Sequence, residues 1–246
     1  MRLVLFDIDG TLVRGAPPVH RQALCEAADV VFGVRLIPHE FGQTAGMTDS
    51  AIARRELRVV GVSDGEITNG LAAFCAVASD AYERLAPDDL SAYHTPYALE
   101  TLDWLLAHGA TLGLVTGNIE RIAWRKLSAA RLADRFTQRP VSSTLPDANE
   151  ASIPWIGGFG DQAEDRAALP PLALARATRL TKRAPQPRDT WVVGDTPADI
   201  NCGATHGLRA VAVATGPVHS LDDLRACGPD AALRDLSELP ATILAG

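Results

Sequence analysis

Short, almost continuously apolar runs alternate with longer stretches of helical periodicity along this chain. The clearest runs cover residues 2–6, 111–115, 190–193 and 209–213. Runs of this kind are typical of parallel strands that are buried on both faces of a sheet. Because helical patterns separate them, the chain is predicted to fold as an α/β protein with a doubly wound parallel sheet.

Two irregular stretches lie between the second and third runs. Residues 138–150 are polar and rich in turn formers, which predicts an excursion on the surface. Residues 153–159 could add a strand, but Pro154 and two glycines confine such a strand to an edge of the sheet.

Residues with capping side chains predict where several helices begin. Thr95 followed by Pro96 predicts an N-cap and a first-turn proline. Asn118, Ser220 and Asp49 are each predicted to cap a further helix.

A long helical insertion separates the first apolar run from the second. Residues 15–91 show three helical patterns and no strand pattern. A connection between a strand and the next helix normally takes only a few residues, so this insertion predicts a small α-helical domain of its own. We expect an α/β core formed by residues 1–14 and 92–246, and a helical domain formed by residues 15–91.

Composition and charge exclude several functional classes. Hydrophobic residues make up 47% of the chain and charged residues 22%, as in an ordinary folded protein. The net charge of −7 argues against nucleic-acid binding, and no apolar run reaches the length of a membrane span. No secretory signal pattern precedes the first run. Four scattered cysteines without a C-x-x-C pair predict reduced core residues in a cytoplasmic protein, namely Cys25, Cys75, Cys202 and Cys227.

Polar residues follow three of the predicted strands at the point where each strand ends. They are Asp7 and Asp9 after the first run, Thr116, Gly117 and Asn118 after the second, and Asp195 and Asp199 after the third. The carboxyl ends of parallel strands meet at one edge of a sheet, where ligands bind. Carboxylates crowded at one edge repel each other, and a cation is the usual reason to tolerate them. The sequence therefore predicts a cation site there.

Each of these motifs also has a purely structural interpretation. D-I-D-G alone describes a strand entering a tight turn, and T-G-N is a common entry to a helix. In T-P-A-D, the Asp199 carboxylate could simply complete a capping box with Thr196. The joint occurrence favours function for Asp7, Asp9 and Asp195, and leaves both interpretations open for Asp199.

In order and spacing the motifs resemble those of the haloacid dehalogenase-like (HAD) superfamily of hydrolases. D-I-D-G-T-L at residues 7–12 matches the D-x-D-G-T-L/V motif, L-V-T-G-N at 114–118 the second motif, and G-D-T-P-A-D at 194–199 the fourth motif. The insertion falls where the family carries a C1-type cap. Residues 41–49 resemble the specificity segment of C1-capped phosphatases of the phosphoglycolate phosphatase and β-phosphoglucomutase types. The resemblance covers essentially the whole chain and implies a Rossmann-like core with a small helical cap.

The third motif departs from the family pattern, which places a lysine before the helix that leads to the fourth motif. Here Arg166 stands before the helix predicted over 170–180, and Lys182 follows that helix. We expect Arg166 to replace the lysine and to bind phosphate in a bidentate manner. The alternative is an exposed charge at the helix entry, beside Glu164 and Asp165.

The resemblance implies a Mg²⁺-dependent phosphatase that hydrolyses a small phosphorylated metabolite through an aspartyl-phosphate intermediate. Asp7 would be the nucleophile, and Asp9 the general acid and base. The implied metal ligands are Asp7, the backbone carbonyl of Asp9, and Asp195, with Asp199 acting through a metal-bound water or through Asp195. The implied phosphate-binding residues are Thr116, Gly117, Asn118 and Arg166.

Related activities fit less well. Dehalogenases of this superfamily lack the second acid that Asp9 provides, and phosphonatases use a cap lysine, whereas residues 14–87 contain no lysine. A phosphomutase of the β-phosphoglucomutase type shares the whole core and stays open. A non-catalytic phosphoacceptor domain is disfavoured by the D-x-D-G-T motif on the first strand and by the long insertion.

Overall fold

The computed structural model describes residues 1–36, 43–137 and 155–245. Within these ranges six parallel strands form one sheet, in the order β3-β2-β1-β4-β5-β6. The strands are β1 (Leu3–Phe6), β2 (Thr111–Thr116), β3 (Gly157–Phe159), β4 (Thr190–Gly194), β5 (Arg209–Val213) and β6 (Ala231–Leu233). The prediction of a doubly wound α/β fold is confirmed, and the predicted 153–159 strand is the short edge strand β3.

β1 lies in the middle of the sheet, with β2 on one side and β4 on the other. Leu3 pairs with Thr111 of β2 and with Thr190 of β4. Val4 and Phe6 belong to one apolar cluster, whereas Leu3 and Leu5 belong to another. This alternation is expected for a strand that is buried on both faces. It places the residues that follow β1 at the centre of the carboxyl edge of the sheet.

Six helices accompany the strands of the α/β unit in the described ranges. They are α4 (Ala98–Ala107), α5 (Glu120–Ala129), α6 (Leu169–Thr181), α7 (Pro197–Ala204), α8 (Leu221–Ala226) and α9 (Leu239–Ala245). Leu102 and Leu105 of α4 contribute to the cluster that contains Phe6, whereas Leu169 and Ala173 of α6 contribute to the one that contains Leu5. The helices therefore cover both faces of the sheet.

The described part of the insertion forms three helices, α1 (Val19–Phe32), α2 (Asp49–Val59) and α3 (Asp64–Leu85). α1 ends at Gly33, which adopts a left-handed conformation with φ of 66°. α3 begins with a capping box between Ser63 and Glu66. The three helices share an apolar cluster that extends to Ile122 of α5. The domain boundaries at residues 14/15 and 91/92 remain a prediction.

Three of the predicted caps are wrong, because tertiary contacts use their side chains. α4 begins at Ala98, and the Thr95 hydroxyl donates to the Thr11 carbonyl at 2.6 Å. α2 is capped by Thr48 instead of Asp49. α5 has Ile119 at its N-cap, which leaves the Asn118 side chain for other contacts.

Several other predictions can be compared with the described residues. Ser220 forms the expected cap, with Asp223 completing a capping box. All four cysteines are free, but only Cys202 is fully buried, and Cys227 is exposed, so the prediction of core residues is wrong for Cys227. The predicted excursion over 138–150 lies outside the described residues. No helix in the described ranges is long and apolar enough to cross a membrane.

Candidate active site

Three buried carboxylates meet at the carboxyl edge of the sheet. Asp7 follows β1, Asp195 follows β4, and Asp199 lies in the first turn of α7. Each offers an oxygen atom, and these three atoms lie within 4.8 Å of one another. The backbone permits this crowding, because a β-carbon at Gly10 would lie 2.3 Å from Asp195 Oδ2. Gly10 also has a φ of 86°, so this position requires glycine in both space and conformation.

Burial and mutual repulsion raise the pKa values of two of these carboxyl groups. Burial, with Asp7 and Asp199 nearby, raises the pKa of Asp195 to about 8. Burial also raises the pKa of Asp7 to about 6, although Arg166 acts in the opposite direction. Two neighbouring carboxyl groups with raised pKa values are typical of a site that binds a cation or catalyses a reaction.

These shifts predict a pH-dependent stability for the metal-free protein. An Asp195 carboxyl that ionises near 3.8 in the unfolded chain and near 8 in the folded one favours folding most at low pH. That contribution is lost as the pH rises from about 4 to about 8. The melting temperature in EDTA should therefore fall across this window, and less steeply for Asp195→Asn. Equal slopes for the two proteins would contradict the assignment.

The guanidinium of Arg166 is the positive charge that the protein itself places beside these carboxylates. Its Nη2 lies 3.0 Å from Asp7 Oδ1 and 2.6 Å from Asp199 Oδ1. Nη2 also donates to the Val115 carbonyl at 3.3 Å, and the buried Nε has no hydrogen-bond partner among the described residues. The structure thus buries Arg166 against Asp7, so the alternative of an exposed charge does not apply. Lys182 is exposed at the opposite end of α6.

Asp199 fulfils its structural interpretation and also contacts the cluster. Its Oδ2 accepts from the Thr196 amide at 3.1 Å and from the Thr196 hydroxyl at 2.7 Å, which completes the capping box. Its Oδ1 pairs with Arg166. One carboxylate therefore caps α7 and orients the arginine.

The segment after β2 lies beside the carboxylates. Thr116 is fully buried beside Asp7, where its side chain acts to lower the pKa of that carboxyl group. A β-carbon on Gly117 would collide with the Met47 carbonyl and approach Arg166 Nη1 to 3.2 Å. The side-chain Nδ2 of Asn118 donates to Thr116 Oγ1 at 2.7 Å and to Asp9 Oδ2 at 2.8 Å. The predicted phosphate-binding residues are therefore brought together with Asp7.

Asp9 faces a basic group that the sequence analysis overlooked. Its half-exposed carboxylate pairs with Lys126 of α5, at 2.8 Å from Oδ1 and 2.6 Å from Oδ2. Partial burial alone would raise the pKa of Asp9, but Lys126 and His20 outweigh that effect and lower the pKa. A signal existed in the sequence, because Lys126 lies four residues after Ile122, on the buried face of an amphipathic helix.

The segment that leads into α2 lies directly over these loops. The Asp49 amide donates to the Gly117 carbonyl at 2.7 Å, and its carboxylate accepts from the Ile119 amide at 2.8 Å. The same carboxylate lies 3.0 Å from Nε2 of His20. Farther along, Arg54 pairs with Glu164 at 2.7 Å. The insertion and the sheet edge thus enclose the carboxylate cluster between them.

A family model describing haloacid dehalogenase-like hydrolases matches residues 1–207. The chain belongs to the haloacid dehalogenase-like hydrolases. Its curated relatives include a phosphoglycolate phosphatase of Pseudomonas fluorescens, 27% identical over 243 residues, which cover 93% of this chain and 79% of that enzyme. This confirms the prediction of a HAD-family phosphatase.

Solved structures share the fold at lower identity. A predicted phosphatase of Clostridium acetobutylicum superposes with a TM-score of 0.63, at 18% identity, over 100% of this chain and 99% of that one. A provisionally assigned β-phosphoglucomutase of Bacteroides vulgatus gives a TM-score of 0.61, also at 18% identity, over 100% and 89% of the two chains. At this identity the likeness concerns the HAD fold, which the two kinds of protein share.

Proposed function

We propose that this HAD-family phosphatase is Mg²⁺-dependent and hydrolyses a small phosphorylated metabolite through an aspartyl-phosphate on Asp7. The observation that carries the proposal is the position of Asp7, which lies beside two further buried carboxylates and pairs with the guanidinium of Arg166. A nucleophilic carboxylate must approach an anionic phosphoryl group, so it needs positive charge close by. Arg166 supplies one such charge, and a bound cation would supply the other.

The residues present fit a divalent cation of the hard, oxygen-preferring kind. The donors are all carboxylate oxygens, they lie within 4.8 Å of one another, and two of the groups have raised pKa values. Mg²⁺ prefers such ligands and usually retains several waters. Asp7, the backbone carbonyl of Asp9, and Asp195 would hold it, with Asp199 acting through water or through Asp195. When bound, the ion would neutralise charge on the phosphoryl oxygens.

Each residue of the site would then have its own role in the reaction. Asp7 would attack phosphorus, while Asp9 would give a proton to the leaving oxygen and later take one from the attacking water. The Thr116 hydroxyl, the Gly117 amide and the Arg166 guanidinium would bind the non-bridging oxygens. The buried Nε of Arg166 supports this role, because it has no hydrogen-bond partner among the residues that the structure describes, and a buried donor of this kind is free to bind a ligand.

We propose 2-phosphoglycolate or a similarly small phosphate ester as the substrate. The support comes from the phosphoglycolate phosphatase of Pseudomonas fluorescens, which aligns over 93% of this chain. The close packing of residues 46–50 over the Gly117 loop favours a compact leaving group as well. A cytoplasmic location, a helical cap formed by residues 15–91, and the absence of nucleic-acid and membrane partners remain predictions.

The deciding experiment is a screen of phosphate esters with and without Mg²⁺. We expect release of inorganic phosphate from small esters and from p-nitrophenyl phosphate, and loss of this activity in EDTA with recovery on adding Mg²⁺. Full activity after metal removal, verified by elemental analysis, would contradict the metal assignment. Turnover that requires a sugar bisphosphate, with no net phosphate release, would instead identify a phosphomutase.

A further inference from the structure

Lys126 is a buried ammonium group outside the phosphate-binding cluster. The chain contains two lysines, and Lys126 is the buried one, with 6% of its side chain exposed. A buried charge is costly unless it is paired and hydrogen-bonded, so its partners reveal why it is tolerated. Its hydrogen bonds go to Asp9, Asn118 and His20 rather than to Asp7, Asp195 or Asp199.

These contacts fix the plane of the Asp9 carboxylate. Lys126 Nζ lies 2.8 Å from Oδ1 and 2.6 Å from Oδ2, so that it contacts both oxygens. The side-chain Nδ2 of Asn118 donates to Asp9 Oδ2 from a second direction, at 2.8 Å. The same Asn118 amide bonds to Thr116, so the orientation of Asp9 is tied to the segment after β2.

Lys126 is itself held from two further directions. Its Nζ donates to Asn118 Oδ1 at 2.7 Å and lies 3.1 Å from Nδ1 of His20, on α1. His20 is anchored on its other side by Asp49, whose carboxylate also accepts from the Ile119 amide. The ammonium group thus lies in a rigid cage, which is what positioning a catalytic side chain requires.

We propose that Lys126 is the positioning residue for Asp9, holding its carboxylate towards the site through contact with both oxygens. This inference rests on the proposed function, in which Asp9 exchanges protons with the leaving group and with water. Lys126 would act only through Asp9, because its contacts do not reach Asp7 or Arg166. A purely structural lysine, in contrast, would affect the protein whether or not Asp9 is intact.

A double-mutant cycle separates these roles. Lys126→Met removes the charge at similar size, and Asp9→Asn removes the carboxylate. Turnover of p-nitrophenyl phosphate is measured for the wild type, both single variants and the double variant. Its leaving group needs little proton assistance, so kcat reports mainly the proposed help of Asp9 to the attacking water. We expect Lys126→Met to lower kcat about tenfold or more in the wild-type background and less than about twofold in the Asp9→Asn background. Lys126→Arg should recover part of the loss, since it retains the charge.

A second readout concerns the leaving group. In Lys126→Met, kcat/KM for an alkyl phosphate such as glycerol phosphate should fall further than kcat/KM for p-nitrophenyl phosphate, because kcat/KM reports the step in which the leaving group departs, and the poorer leaving group depends more on Asp9. Lys182→Met is the matched control and should behave like the wild type. If Lys126→Met does not fold, the same cycle is run with Lys126→Arg, whose smaller loss must also vanish beside Asp9→Asn.

The outcomes are distinguishable. An unchanged kcat in Lys126→Met, an equal loss of kcat in both backgrounds, or an equal loss of kcat/KM for both leaving groups would overturn the positioning role. Asp7→Asn is measured in the same assay. If that variant retains wild-type turnover, the proposed function fails, and the inference fails with it. If it is inactive while Lys126→Met is normal, the inference alone is wrong.

Discussion

Replacing Asp7 with asparagine is expected to lower kcat about a thousandfold or more while the protein stays folded. An amide cannot attack phosphorus, and it contributes no charge to a bound cation. The substitution is nearly isosteric and keeps an oxygen facing Arg166, which retains its pair with Asp199 at 2.6 Å. Steady-state kinetics measures the loss, and mass spectrometry of acid-quenched enzyme should show a phosphorylated Asp7 in the wild type.

The fold of this variant is tested separately. Since it removes a buried carboxylate whose pKa is raised to about 6, the melting temperature without metal should be unchanged or higher. Asp29→Asn, which alters an exposed aspartate of α1, serves as the control and should leave activity unchanged. Wild-type-like turnover by Asp7→Asn would eliminate the nucleophile assignment.

The sheet could be predicted because its strands are buried on both faces. The four apolar runs correspond to β1, β2, β4 and β5. β6 went unnoticed because it consists of only three residues, Ala231–Leu233, of which only Leu233 is fully buried. A strand this short carries no periodicity of its own, and its pairing with β5 comes from the tertiary fold.

The predicted helix starts were wrong where a polar side chain makes a tertiary hydrogen bond instead of capping the helix. Thr95 and Asp49 both carry side chains that favour N-caps, yet the first bonds to the carbonyl of Thr11 and the second to the amide of Ile119. Local capping is worth about 1 kcal/mol, which a buried tertiary hydrogen bond can match. Ser220, which is exposed, caps its helix as predicted.

The candidate site could be anticipated for residues at strand ends, but not for the lysine on a helix. The strand ends converge in any parallel sheet, so Asp7 and Asp195 could be placed together from sequence order alone. Lys126 is separated from Asp9 by 117 positions. Its helical position showed that it faces inward, but the partner depends on how α5 packs over the edge of the sheet.

The sequence departs from the family pattern at Arg166. Substitutions of Arg166 and of Lys182 test which of the two replaces the family lysine. Arg166 lies in a short helical turn before α6 and contacts Asp7, whereas Lys182 ends α6 and is exposed. If Arg166 replaces the family lysine, Arg166 should matter for catalysis and Lys182 should not. Lys182→Ala is therefore expected to retain wild-type kcat and KM, which provides a control for the loss of a basic side chain.

If Arg166 binds the phosphoryl oxygens as proposed, Arg166→Ala should lower kcat/KM about a hundredfold or more, because a preorganised charge is lost. It also leaves Asp7 and Asp199 without their shared partner, so the metal-free protein should melt at a lower temperature than the wild type. Arg166→Lys should be partly active, since the charge survives while the bonds to both carboxylates and the Val115 carbonyl cannot all be kept. Kinetics of the three variants decide the assignment. A dead Lys182→Ala beside a normal Arg166→Ala would show that the third motif lies elsewhere. The expected order follows from the structure, in which Arg166 is buried against Asp7 and Lys182 is exposed.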